Sequence, residues 1–204
     1  MSNSFSIPAV DLVEELSGNA ERYACAKKSL LEDRSRLPSH ITHCLDTIIS
    51  AADPAPDIDT TIVCSVTHGM EIIRRSPPIK ELLSLREILK EQLQKIEYRD
   101  IEEIIGFRSL SPSDITGESP IPNKFGGAYI RLPPRVKDSV RHLAANLDAS
   151  DSVIAMVSIV EILSHQKVLP HPFRKSLDRR IQSFWRKASL RSTIAKMLLA
   201  NLAS

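Results

Sequence analysis

The chain has 204 residues, of which 42% are hydrophobic, 25% charged and 4% aromatic, with a formal net charge of +2. That balance excludes a disordered chain, which would hold fewer apolar residues and a larger charge imbalance. The scarcity of aromatics leaves Leu, Ile and Val to supply the core, which favours a mainly α protein over a large sandwich built on ring contacts. The three cysteines, Cys25, Cys44 and Cys64, are odd in number and lack the close paired spacing of a zinc site or a disulfide framework.

The net charge conceals a division. Residues 1–123 hold 13 Lys and Arg against 20 Asp and Glu, a balance of −7, whereas residues 124–204 hold 14 against 5, a balance of +9. Asymmetry of this kind points to a basic surface that meets an anion, with nucleic acid the first candidate and an acidic protein or a membrane face next. The plainer alternative is that the acidic and basic halves dock on each other.

Taken in chain order, the N-terminus MSNSFSIPAVDLVEEL has neither a basic head nor a long apolar run, and no stretch of about 18 apolar residues occurs. The expectation is a cytoplasmic protein with no transmembrane segment. Helical apolar spacing predicts helices over 8–17 and 19–36, with Gly18 between them, and Pro38 forces a new start. A further helix over 39–52 ends near ADPAPDIDT, whose prolines cannot sustain one. Residues 60–73, TTIVCSVTHGMEII, are rich in β-branched side chains that suit a strand, while their continuation into Met70, Ile72 and Ile73 suits a buried helix, the reading preferred. Leu82, Leu85, Leu89 and Ile96 recur at three- and four-residue steps and predict a long helix over 78–98, with a short self-association seam as the alternative to a core-facing stripe. The stretch 106–127 is rich in Ser, Pro and Gly and reads as a linker between an acidic helical domain, 1–105, and a basic region, 128–204.

Beyond the linker, Tyr129 and Arg131 alternate with Ala128, Ile130 and Leu132, the period-two pattern of a half-buried strand. Pro133 and Pro134 end it and open a helix with Val136, Val140, Leu143 and Leu147 on one face. At DASDSVI this helix breaks, and Ser150 or Ser152 can cap the next one, SVIAMVSIVEILSH, which is apolar enough to be buried on most sides. A lone strand and an uncovered apolar helix require a mate.

The order strand, Pro, helix, Ser-containing turn, apolar helix begins with IRLPPRVKDSVRHLA at 130–144 and runs on to about residue 166. It resembles the ribbon-helix-helix family of bacterial and phage DNA-binding proteins, the Arc and MetJ repressor class. The resemblance covers about 40 of the 204 residues. It implies two paired copies, in a homodimer or larger assembly, whose strands form an antiparallel ribbon in the major groove of double-stranded DNA. It puts Tyr129 and Arg131 at base-facing positions and the amides near Ser150 and Ser152 where a phosphate is received. Gly127 stands where the family has a third base-facing side chain. Lys124 and Arg135 flank the strand as further candidate phosphate contacts.

Residues 172–202 admit two readings: a tandem second copy of this unit, or two basic amphipathic helices. There Arg174, Lys175, Arg179, Arg180, Arg186 and Lys187 cluster around Phe184 and Trp185, a group suited to phosphate, to an acidic protein surface or to an anionic membrane face.

Catalytic signatures are weak. His40, His43 and Cys44 form a metal corner without a second pair, and Cys64 with His68 lacks the orienting third group that a nucleophile needs. Glu102 and Glu103 read as an exposed helix edge, and no Gly-rich phosphate loop occurs. The expectation is a non-enzymatic nucleic-acid-binding protein without cofactor or metal; the alternative is a helical adaptor, such as a viral accessory or structural protein, whose basic helices dock on an acidic partner.

Overall fold

The computed structural model describes residues 10–24, 27–31, 36–92, 127–169 and 171–202, and for 89–92, 171–180 and 201–202 the backbone only. The expected linker apart from Gly127, Lys124, Cys25, the Glu102–Glu103 pair and the expected helix beyond residue 92 lie outside these residues. The described chain is mainly α, with one two-stranded antiparallel sheet. In order it runs α1 (Leu12–Asn19), a single 3-10 turn (Ala20–Arg22), β1 (Ser29–Leu30), α2 (Ser39–Ala51), α3 (Ile58–Arg75), α4 (Pro77–Gln92), β2 (Arg131–Leu132), α5 (Pro134–Leu147), α6 (Asp151–His165) and α7 (His171–Leu202).

Local chemistry explains where most helices begin and end. The Asp11 carboxylate accepts from the amides of Val13 and Glu14, and Asp57 accepts from that of Thr60, so each N-cap satisfies donors the helix cannot. Ser150 caps α6 by accepting from the Val153 amide at 3.3 Å, one of the two serines expected there. Pro134 opens α5, where its missing donor is no loss. The same helix ends on Asp148, which takes the left-handed conformation at φ 48° and ψ 50°, with the Ala149 amide reaching back to the Ala144 carbonyl. Two arginines complete that end: Arg86 of α4 donates to the Asn146 carbonyl and Arg191 of α7 to that of Leu147. Cations at a helix C-terminus also complement its dipole.

Three expectations need correction. The helix expected over 19–36 is not found among the described residues of that range, which hold one 3-10 turn and β1. Tyr23, in the turn after α1, donates its hydroxyl to Glu15 Oε1 at 2.6 Å and meets His68 Nε2 at 2.7 Å, contacts that tie this turn to α1 and α3. Second, the two helices or tandem copy expected over 172–202 are one continuous helix, α7. Its hydroxyl residues do not break it, since Thr193 bonds the Ser189 carbonyl and Ser192 donates to Glu81 of α4.

The third correction concerns the mate. β2 pairs with β1 of the same chain, Ser29 opposite Leu132 and Leu30 opposite Arg131, and an isolated bridge joins Arg36 to Tyr129. Likewise α6, with twelve of its residues buried, is covered by α3. The sequence therefore supplies two strand–helix–helix runs, β1–α2–α3 and β2–α5–α6, with strands paired antiparallel and second helices crossed. At that crossing a Cβ on Gly69 would lie 2.0 Å from the Ser158 carbonyl oxygen, so the backbones touch.

Residues from both sides of the expected linker share one core, from Leu12, Leu45 and Ile62 to Leu143, Ile159 and Phe184. Charge contributes little to this union. Two ion pairs that join the halves, Arg131–Asp59 and Lys196–Glu81, are partly exposed, and such pairs are worth about 0–1 kcal/mol. A buried Leu or Ile stabilises by about 1.5–3 kcal/mol. Apolar packing of α3 on α6 dominates.

The Tyr23 junction makes stability pH-dependent. Burial pushes the His68 imidazole below its ordinary 6.5, although Glu15 and Glu71 oppose the shift. The hydrogen bond from Tyr23 holds the Glu15 carboxyl below its ordinary 4.5, with desolvation opposing and the neighbouring His68, Asn19 and Arg22 adding to it. Both folded-state values are depressed, so both contributions are complete above the unfolded-state values and decline as pH falls. The urea midpoint is expected to drop between pH 7 and pH 5.5 through His68 and through His40, whose imidazole burial also holds below its ordinary 6.5, and to drop again as Glu15 protonates; a His68→Asn variant should lose part of the first step. Equal midpoints at pH 7 and 5.5 for the parent chain would contradict this assignment.

Candidate nucleic-acid interface

The ribbon presents a polar face because its residues alternate. Ile130 and Leu132 enter the core, while Tyr129 is 40% exposed and the Arg131 side chain 51% exposed. On the segment bridged to Tyr129, beyond β1, Leu37 is buried and Arg36 exposed. Arg36 is braced: its Nε donates to the Gly127 carbonyl at 2.7 Å, and its guanidinium lies 5.2 Å from the centre of the Tyr129 ring, within cation–π range. Lys137 of α5 donates to the Leu30 carbonyl and Lys28 faces Asp57 at 3.6 Å. Arg135, in the first turn of α5, is exposed. The face thus joins Arg36, Tyr129, Arg131 and Lys137 around one antiparallel edge, with Asp57 and Asp59 at the start of α3 close to it.

Gly127 has a structural reason to be glycine. A Cβ there would lie 1.8 Å from the Leu37 carbonyl oxygen and 3.0 Å from Thr42 Oγ1. No base-facing side chain can stand at that position while the strands stay paired.

The remaining expected residues divide. Ser150 caps α6 and its hydroxyl is committed to that bond, whereas Ser152 is buried within the helix. Asp151 lies beside them and pairs with Arg141 at 3.5 Å, so a carboxylate already stands at this helix N-terminus. Arg174, Lys175, Arg179 and Arg180 lie in the first three turns of α7, and their side chains are outside the described set. Farther along α7, Arg186 is exposed and Lys187 half-buried.

The aromatic centre expected among them belongs to the core instead. Phe184 is fully buried, and Trp185 packs edge-on to it at 5.0 Å and donates to Glu161 Oε1 at 2.8 Å. These rings are not a surface stacking platform.

The chain matches no protein-family model, no curated protein and no solved structure.

Of the weaker chemical candidates, Cys64 and His68 both meet the Tyr23 hydroxyl, which donates to Glu15. His40 and Cys44 point into the core while His43 is exposed, and among the described residues no group of three or more His, Cys, Asp or Glu could hold a metal ion. Burial pushes the Cys44 thiol up to about 11 and that of Cys64 up to about 12, which leaves both neutral and poor nucleophiles. His68 meets the Tyr23 hydroxyl. Among the described residues no helix is long and apolar enough to cross a membrane.

Sequence reasoning missed Arg36, Lys28 and Lys137. A signal was present: Arg36-Leu37-Pro38 repeats Arg131-Leu132-Pro133, and each triplet leads into an amphipathic helix followed by a buried one.

Proposed function

We propose that this chain binds double-stranded DNA without catalysis, laying its two-stranded ribbon in the major groove as ribbon-helix-helix proteins do, but with both strands and both helix pairs drawn from one polypeptide. The observation that carries the reading is the outward pair Tyr129 and Arg131 on an antiparallel edge whose inward neighbours are core. The major groove admits such a ribbon, and a guanidinium can make two parallel bonds to guanine there. Arg36, braced against Tyr129, adds a cation from the segment bridged to it, and Arg135 and Lys137 flank the edge where phosphates would run. Assembly of several chains on one duplex would use surfaces other than the paired edges.

A second reading, an acidic protein partner for the same cations and for those of α7, is favoured by the carboxylates that already meet Arg131 and Lys196. Fluorescence anisotropy with a 20-base-pair duplex separates the two. Binding is expected to weaken steeply between 50 and 200 mM salt, because each phosphate contact releases a counterion. The Tyr129→Ala/Arg131→Ala variant is expected to bind roughly tenfold to hundredfold more weakly, since a good bidentate contact is worth about 1–3 kcal/mol. Absence of duplex binding at 50 mM salt, together with capture of a polyglutamate probe, would replace the first reading with the second.

A further inference from the structure

Helix α3 begins beside the ribbon and brings two carboxylates to it, one facing a lysine ahead of β1 and one facing an arginine of β2. Asp57 faces Lys28, which precedes β1, and Asp59 Oδ2 faces Arg131 Nη1 of β2 at 3.8 Å. Their roles differ. Asp57 is fixed by its cap, accepting from the Thr60 amide at 2.7 Å and the Thr60 hydroxyl at 2.9 Å. Asp59 is one position into the helix and reaches outward to Arg131 across a gap longer than a hydrogen bond, with both side chains partly in solvent. A pair of that length and exposure is weak.

We propose that Asp59 is a tethered competitor for the duplex, holding the Arg131 guanidinium on a carboxylate of the chain itself until a phosphate or base edge displaces it. This rests on the DNA-binding reading above. An arginine fork binds carboxylate and phosphate by the same geometry, so the exchange replaces one anion by another and leaves the guanidinium satisfied throughout. The carboxylate also repels an approaching polyanion over about a Debye length, roughly 10 Å at 0.1 M salt. The competition lowers affinity for a duplex that must displace the carboxylate from Arg131, and the repulsion lowers it for any polyanion.

The test is duplex titration of four full-length proteins: the parent, Asp59→Asn, Arg131→Ala and the double variant, each checked by urea midpoint for intact folding. Asp59→Asn is expected to bind about threefold more tightly at 50 mM salt, and the gain is expected to fall to near unity in the Arg131→Ala background, because the competition acts through that side chain. Equal gains in both backgrounds would overturn the proposal and leave only a general field of the carboxylate; no gain in either would also overturn it. If neither the parent nor Asp59→Asn binds duplex at 50 mM salt, the DNA-binding reading itself falls, a result distinct from both.

Discussion

Replacing Gly69 by alanine is expected to cost on the order of 3 kcal/mol of stability, the upper part of the range for overpacking a close-packed interior. Helix propensity alone predicts the opposite sign, since alanine in a helix interior is favoured over glycine by about 1 kcal/mol. The crossing of α3 and α6 decides between them. A Cβ at 69 would lie 2.0 Å from the Ser158 carbonyl oxygen, 2.4 Å from its carbon and 2.7 Å from its Cα, all backbone atoms that cannot swing aside. Ser158 offers no relief, for its hydroxyl is turned back along its own helix to the Ile154 carbonyl at 2.7 Å. The two helices must separate, and the apolar residues between them lose contact on both sides. The expected result is a lower urea midpoint with an unchanged slope. A midpoint at or above that of the parent chain would mean that the helices do not approach as described.

The second large effect is expected at Gly127, where alanine should both destabilise the chain by roughly 1–3 kcal/mol and weaken duplex binding about tenfold. Gly127 is held from several directions. Its carbonyl accepts from Arg36 Nε, the next residue donates through its amide to Thr42 Oγ1 at 3.3 Å, and the Ala128 carbonyl accepts from the Leu37 amide at 2.8 Å. A methyl group 1.8 Å from the Leu37 oxygen forces the strands apart at the point where Tyr129 and Arg131 are aimed. Amide exchange reads this directly. The amides of Leu31 and Leu37, bonded to the carbonyls of Ile130 and Ala128, should lose protection in Gly127→Ala while amides at the centre of α6 keep theirs. Unchanged protection at Leu31 and Leu37 would exclude this account of the ribbon.

The elements that could be read from the sequence are those whose determinants are local. Val136, Val140, Leu143 and Leu147 mark α5 by spacing, and Ser150 marks the start of α6 by its side-chain chemistry. The period-two alternation around Ile130 and Leu132 is as legible, and their burial between exposed Tyr129 and Arg131 follows it.

What could not be read is who pairs with whom. Ser29 and Leu30 are both exposed, so β1 has no alternation of its own, and its strand character comes wholly from β2, about a hundred residues away. Long-range pairing overrode a helical pattern there. Asp59 was equally hidden, since nothing near it in sequence indicates that it faces Arg131. The error at 172–202 had another cause: serines and threonines usually mark breaks, but here their hydroxyls bond along the helix or across to Glu81 and leave the backbone ladder intact.

A sheet whose two edges belong to one polypeptide forms by a first-order process. Dilution cannot pull it apart, as it does an interface between separate subunits whose folded population depends on protomer concentration. The cross-strand bonds of Leu31 and Leu37 should therefore persist unchanged from micromolar to nanomolar protein. Whatever this surface engages, a single molecule arrives with it already assembled.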